Sequence, residues 1–287
     1  MAPHRPTPTV RHGGTVVGLV RAGHLQPTLA VVTVTTALAA LAGRGAPGCA
    51  AVATAVLAGQ LSTGWSKDWF DAGRDRAVGR TDKPIVAGDV SVATVRIAAC
   101  TALAAAVPLS LLSGWRAATV HLVAIGSAWA YNLGLKATVV SPVPYAVSFG
   151  LLPAFVTLGL PGHPWPRPAV MVATGLLGVG AHFVNTLADR DDDARSGIVG
   201  LPQRMSARWA LVTGVGLLTC CAVTIRLLGG RAALAQSVLL VSTLGAAALV
   251  VVTTLRDRPR AAWSWTLVTV LGCLGMFAVA RPPLVGT

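Results

Sequence analysis

Nine long stretches of the chain are apolar and almost free of charge, at roughly 25–43, 48–67, 91–113, 117–133, 142–160, 168–188, 206–228, 231–254 and 261–280. Each approaches the ~20 residues that a helix needs to cross a hydrocarbon core. The pattern therefore predicts an all-α, polytopic membrane protein with nine transmembrane helices. The connections are mostly short, which makes residues 1–287 one transmembrane domain. The start of the chain, 1–15, is polar or mixed and is expected to be disordered. No cleavable signal peptide is expected, because the first apolar stretch is long and lies well inside the chain. Pro108 and Pro153 predict kinks in the third and fifth stretches. Gly175, Gly178 and Gly180 predict close helix approach in the sixth.

Composition agrees with the pattern: 54% of the 287 residues are apolar and 11% are charged, outside the range of ordinary soluble domains. A net charge of +13 would suggest nucleic acid for a soluble chain. Here the basic residues must first be sorted by side of the membrane. With the N-terminus inside, 17 of the 23 Lys and Arg fall on the cytoplasmic side, leaving Arg44, Arg116, Arg167, Arg226, Arg231 and Arg281 outside. The positive-inside rule thus gives a cytoplasmic N-terminus and an external C-terminus, with the lipid bilayer and not nucleic acid as the partner. The five cysteines lack metal-type spacing and read as apolar filler, and His121 and His182 read as core histidines. Acidic residues that are all Asp, amid Ala, Val, Gly and Arg, suggest a GC-rich bacterial source. A bacterial cell (inner) membrane is the expected location.

The acid is concentrated. Of ten aspartates, Asp68, Asp71, Asp75, Asp82 and Asp89 follow the second stretch, and Asp189, Asp191, Asp192 and Asp193 follow the sixth. Four crossings separate the clusters, so both lie at cytoplasmic helix ends and can meet. Asp68, Asp71 and Asp75 stand at i, i+3 and i+7, and Asp189 and Asp193 at i and i+4, placing each set on one helix face. Like charges so placed call for a cation, and carboxylates that leave room for water and phosphate suit Mg²⁺. The two loops also align: Asp71-x-x-x-Asp75-x-x-x-Gly79 matches Asp189-x-x-x-Asp193-x-x-x-Gly197, with Pro84 opposite Pro202 and Lys67 opposite Asn185.

Basic side chains share this face, among them Arg74, Arg80, Arg190 and Arg204. Most read as orientation signals. Lys83, in "DKPIVAG", and Lys136, just after Tyr131 and Asn132, stand out. Carboxylate-held Mg²⁺ beside ammonium and guanidinium donors suits a diphosphate. At a membrane boundary the substrate that fits is an amphiphile such as an isoprenyl diphosphate. Mg²⁺ and basic groups would stabilise the departing pyrophosphate. Aromatic residues near the same helix ends (Trp65, Trp69, Phe70, Trp129, Tyr145, Phe149 and Phe183) could shield the allylic cation.

These residues resemble the UbiA superfamily of intramembrane prenyltransferases, whose members carry N-D-x-x-D-x-x-x-D after the second helix and D-x-x-x-D after the sixth. This chain has KDWFDAGRD at 67–75 and NTLADRDDD at 185–193. "GRTDKPIVAGDVS" is similar to the family's R-P-[LI]-x-x-G loop, with Lys83 in the Arg place, and "YNLGLK" to its Y-x-x-x-x-K element. The resemblance implies nine helices around a central cavity under a cytoplasmic cap. It also implies Mg²⁺-dependent transfer of a prenyl group to a lipophilic, often aromatic, acceptor. By position, Asp68, Asp71, Asp75, Asp189 and Asp193 take the catalytic and metal role. Lys83, Tyr131, Lys136 and Arg204 take diphosphate contacts, with Asn132 and the motif residue Asn185 beside them in the substrate-binding set. The departure is Lys67 where the family has asparagine. Its ammonium could neutralise an aspartate, displace one metal or touch the diphosphate, and it joins the same set.

Two other readings compete. An intramembrane terpene cyclase would consume the same diphosphate without an acceptor. A divalent-cation transporter fits less well, because the acid lies on one side with none in mid-span.

Overall fold

The computed structural model describes residues 12–229, 233–280 and 284–285. Described residues form helices and connections without a strand; the one β-bridge pairs Pro166 with Val285. In chain order the helices are α1 (His12–Ala22), α2 (Leu25–Leu41), α3 (Ala46–Ala77), α4 (Pro84–Ala87), α5 (Val92–Leu111), α6 (Trp115–Leu133) and, after a 3-10 turn (Leu135–Ala137), α7 (Val143–Thr157). There follow α8 (Pro168–Ala188), α9 (Arg190–Arg195), α10 (Leu201–Arg204), α11 (Ala207–Leu228), α12 (Ala233–Leu255) and α13 (Pro259–Ala280).

Each of the nine apolar stretches is occupied by a helix, but they are not equal. Five, at Val92–Leu111, Pro168–Leu187, Ala207–Leu228, Leu234–Leu255 and Arg260–Val279, are long and apolar enough to cross a bilayer. The pair Gly14–Ala22 and Leu25–Leu41, bent by 56°, makes a sixth if it is one broken span. The others miss for local reasons. α7 has 15 residues. α6 carries Arg116, His121 and Asn132 along its 19 residues. α3 ends in a charged third. At 1.5 Å per residue its 32 residues measure about 48 Å, longer than a ~30 Å hydrocarbon core, so its aspartates follow its apolar part, Asp68 directly and Asp71 and Asp75 one and two turns further on.

Of the segment 1–15 expected to be disordered, positions 1–11 lie outside the described residues, while 12–15 already belong to α1. α1 turns into α2 at His24, whose left-handed backbone (φ 48°, ψ 56°) makes the bend. Trp65 of α3 fixes this elbow by donating its indole N–H to the Leu19 carbonyl at 2.9 Å.

The long helices pack mainly on their sequence neighbours: α2 on α3, α3 on α5 and α6, α6 on α7, α7 on α8, α8 on α11, and α12 on α13; α13 also touches α8 and α2, which closes the bundle. One apolar core, with Leu218, Ile225 and Met276, lies among α8, α11, α12 and α13. Another, with Val52, Val56 and Phe155, lies among α2, α3, α6 and α7. The α8–α11 contact depends on glycine: a Cβ on Gly180 would come within 2.9 Å of the Gly214 carbonyl oxygen. Gly178 likewise makes room for the Phe149 ring. Pro108 and Pro153 stand inside α5 and α7, and both helices run on past them. Large apolar side chains such as Ile97, Leu227, Leu234 and Val241 point outward. Such an exterior suits lipid and not water.

Candidate active site

The repeated D-x-x-x-D-x-x-x-G frame becomes a repeated structure. α3 and α9 end in the same way, on a left-handed glycine, Gly79 (φ 71°) and Gly197 (φ 74°). In the first copy the Arg80 N–H donates to the Asp75 carbonyl at 2.9 Å and the Gly79 N–H to the Arg76 carbonyl at 3.2 Å. In the second the Ile198 N–H donates to the Asp193 carbonyl at 2.8 Å and the Gly197 N–H to the Ala194 carbonyl at 3.3 Å. These are two Schellman caps, and glycine is required because a side chain disfavours that backbone conformation. The last aspartate of each motif therefore sits in the final turn of its helix, and a one-turn helix containing the matched proline follows, α4 after the first and α10 after the second.

The two ends meet. Lys67, Asp71, Asp75 and Lys83 from the first copy line one pocket with Asp189, Asp192 and Asp193 from the second, and Arg74 and Arg80 complete its basic side. The pocket is partly open to solvent, and its cavity volume is about 30 Å³, room for a few water-sized atoms. Arg80 joins the copies directly: its Nη1 lies 2.7 Å from Asp192 Oδ2, while its Nε reaches Asp82 at 2.9 Å.

Charge is distributed unevenly between the copies. Asp68 is buried and accepts from His24 Nε2 at 2.9 Å and Lys83 Nζ at 3.2 Å. Burial opposes its ionisation, but the His24 hydrogen bond and the Lys83 charge outweigh it and hold the carboxyl at about 2. Asp71, also buried, accepts from Arg74 Nη2 at 2.5 Å and from Lys136, and Lys67 Nζ stands 3.6 Å away. Burial again pushes upward, yet the Lys67 and Lys136 charges keep this carboxyl below its ordinary value. Lys136 is lowered in turn to about 8, by burial against the pull of Asp71.

In the second copy Asp192 is paired with Arg80 and Arg195, but Asp189 and Asp193 have no ion-paired partner among the described residues. Asp193 accepts from the neutral Gln203 amide at 2.7 Å. Burial raises it to about 6, Gln203 offsets part of that, and the Asp189 charge adds to it. Burial also raises Asp75, with Lys83 pulling the other way. Neither Asp75 nor Asp189 has a hydrogen-bonded or ion-paired side-chain partner among the described residues.

This donor set has the chemistry of a hard divalent cation. Asp75, Asp189 and Asp193 offer carboxylate oxygens that no base occupies, in a pocket with room for water. As placed, no three His, Cys, Asp or Glu side chains among the described residues stand close enough to hold an ion. The carboxylates fit Mg²⁺ by type and would have to draw together around it.

The remaining residues singled out from sequence are dispersed. Asn132 donates its amide to the Thr63 carbonyl at 2.9 Å and to Ser66 Oγ at 2.8 Å, which ties α6 to α3 and leaves that amide committed to packing. Arg204 is exposed and outside the pocket, with its Nε on the Val199 carbonyl at 3.0 Å. Tyr131 packs edge-on against Tyr145 (5.1 Å) and His182 (5.5 Å). Asn185 is half-buried in α8, one turn before Asp189. The aromatic residues divide into a Trp69–Phe70–Trp129 group and a Tyr131–Tyr145–Phe149–Phe183 group around His182, whereas Trp65 serves the α1 elbow. His121 is a core residue, its Nδ1 2.7 Å from Ser110 Oγ and its ring stacked on Phe155.

Sequence reasoning passed over His24 and Gln203, and gave Arg80 and Asp192, which it placed on the right face, no role in the site. Arg80 had a signal, since it directly follows the capping glycine. His24 had none, because 44 residues separate it from Asp68.

Comparison with known proteins adds to this geometry. The model of the UbiA prenyltransferase family matches residues 29–271. Among solved structures, a UbiA homolog from Aeropyrum pernix K1 in its apo form superposes with a TM-score of 0.70 at 17% identity, over 88% of this chain and 98% of that one. A UbiA homolog from Archaeoglobus fulgidus bound to DMAPP and Mg²⁺ gives 0.65 at 15% identity, over 91% and 98%. A structure of digeranylgeranylglyceryl phosphate synthase gives 0.66 at 14% identity, over 93% and 98%. These likenesses show a shared fold over nearly the whole chain. No curated protein matches the sequence.

Proposed function

The chain belongs to the UbiA prenyltransferase family, and from that premise we propose that it is a Mg²⁺-dependent intramembrane prenyltransferase. It ionises an isoprenyl diphosphate and passes the prenyl group to a lipophilic acceptor. The observation that carries this reading is the single pocket where the carboxylates of two helix ends face Lys67, Arg74 and Lys83. The A. fulgidus homolog bound to DMAPP and Mg²⁺, and its counterpart bound to GPP and Mg²⁺, support the substrate class and the ion.

In this reading Asp75, Asp189 and Asp193, with Asp68 and Asp71 behind them, hold Mg²⁺, which when bound neutralises charge on the pyrophosphate. Lys67, Lys83 and Lys136 supply ammonium donors to the phosphate oxygens as the C–O bond breaks, where their charge counts most in the transition state. Of the three, Lys67 and Lys83 line the pocket, while Lys136 lies buried on Asp71 outside its lining and would reach phosphate only by leaving that carboxylate. The prenyl tail runs down between α3, α6, α7 and α8. There the rings of Phe70, Trp129, Tyr145 and Phe149 offer π-faces to the allylic cation and exclude water. All nine long helices cross a bacterial cell membrane, the N-terminus is cytoplasmic and the C-terminus external, and α4 and α10 form the cap over the pocket.

The test incubates purified protein with Mg²⁺ and prenyl diphosphates of graded length, with and without phenolic or quinone-type acceptors, and identifies products by mass spectrometry. A prenylated acceptor supports transfer. A hydrocarbon or alcohol formed without acceptor supports the cyclase reading. Intact diphosphate under every condition removes both.

A further inference from the structure

The two acidic motifs share one backbone pattern but differ at the position four residues before the aligned aspartates, which is Lys67 in one copy and Asn185 in the other. Lys67 follows the helical spacing back onto its own motif, with Nζ 3.6 Å from Asp71 Oδ2, one turn along α3. It does not act alone. Arg74 and Lys136 also hold Asp71, and Lys83 and His24 hold Asp68. The first two carboxylates of the α3 motif are thus already neutralised by the chain's own cations. At the α9 end only Asp192 is directly ion-paired among the described residues; Lys67 and Lys136 act on Asp193, and Lys67 on Asp189, only from a distance.

We propose that Lys67 stands in for a divalent cation at the α3 end, so that the pocket takes one ion, on Asp75, Asp189 and Asp193, and the Lys67 ammonium serves the opposite side of the pyrophosphate. The role toward pyrophosphate rests on the proposed prenyl diphosphate activity; the ion count does not. A divalent ion placed on Asp71 would have to approach three basic side chains at close range, and like charge there opposes it. Asp75 is the exception on α3: it lines the pocket together with the α9 aspartates and has no ion-paired partner among the described residues. Removing the Lys67 charge lessens that repulsion, with Arg74 and Lys136 free to turn toward phosphate or solvent, and asparagine makes position 67 match its counterpart Asn185.

The test counts bound Mn²⁺ by electron paramagnetic resonance and by calorimetry, using Mn²⁺ alone and full-length protein in lipid nanodiscs. Wild type is expected to bind one ion per chain, Lys67→Asn and Lys67→Gln two, and Lys67→Arg one. Asp193→Asn, on the background that keeps Lys67, is expected to bind none. Two ions or none in wild type would overturn the proposal, as would one ion in both neutral Lys67 variants or an ion retained in Asp193→Asn, with circular dichroism showing the helical fold intact. One ion with no prenyl diphosphate consumption would sink the proposed activity and leave this inference standing. Turnover with two ions per wild-type chain would do the reverse.

Discussion

The ends of α3 and α9 are built on one local plan and live in different electrostatic surroundings. Both place an aspartate in the last helical turn, stop at a left-handed glycine and restart in a one-turn helix. Yet the α3 end collects bases from four places: its own turn, the loop before α4, the turn after α6 and the α1–α2 elbow. The α9 end collects an amide from α10 and the arginines on Asp192. A sequence repeat can fix backbone geometry twice over, whereas the charge state of each copy depends on which distant elements pack beside it. In the proposed reading, similar halves take different parts of one substrate, the cation-rich end meeting phosphate oxygens and the base-poor end meeting the metal.

The largest effect should come from removing a carboxylate of the end proposed to hold the metal. Asp189→Asn is expected to reduce prenyl diphosphate turnover by at least roughly 10²–10³-fold, the scale for losing one preorganised charge-stabilising group, with the helical fold in detergent unchanged. Asp71→Asn should also abolish turnover, in its case by releasing Lys136 and Lys67 from their anchor. Steady-state kinetics with circular dichroism check both, and near-normal rates in either variant would count against the division of roles.

Acid should separate the ends next. Asp193, raised to about 6, takes up a proton as pH falls through that value, while Asp68, held at about 2, stays ionised. Mn²⁺ affinity should therefore hold above pH 6 and fall below it, by up to about tenfold per pH unit where one proton competes with the ion. Calorimetry between pH 5 and 8 is the check. A flat profile would show that Asp193 is not a ligand.

Smaller effects test the shared backbone plan. Gly79→Ala and Gly197→Ala each force a side chain into the left-handed region, at a cost of about 1–2 kcal/mol. Comparable losses of thermal stability are expected from the two, and a loss at one only would break the equivalence of the caps. Arg204→Ala should matter least. Its guanidinium is exposed and turned to the Val199 carbonyl, so turnover should stay within about twofold of wild type, as for an ordinary surface change.

Much of this was legible in the sequence. The nine apolar stretches each carry a helix, and the D-x-x-x-D-x-x-x-G frame holds both its aspartates and the glycines that end the helices after them. Gly178 and Gly180 could be read as points of close approach. What was not legible depends on contacts far apart in the chain. Nothing periodic links His24 to Asp68, and Asn132 next to Tyr131 gave no sign that its amide would be spent on α3. Arg204 and Arg190 could not be ranked, because a four-residue helix turns one of them out to solvent while the other caps its carbonyls. The bend at His24 was hidden for the same reason, since a left-handed histidine is a product of packing and not of local preference.

The central claim is that both acidic ends serve one diphosphate site. It is tested most directly by measuring pyrophosphate release from prenyl diphosphates of graded length, in the presence of Mg²⁺, by wild type, Asp75→Asn and Asp189→Asn in nanodiscs. The account predicts release by wild type, its loss on chelation, and its loss in both variants alike. Release at near wild-type rate with either end disabled, or release that persists after chelation, would contradict it.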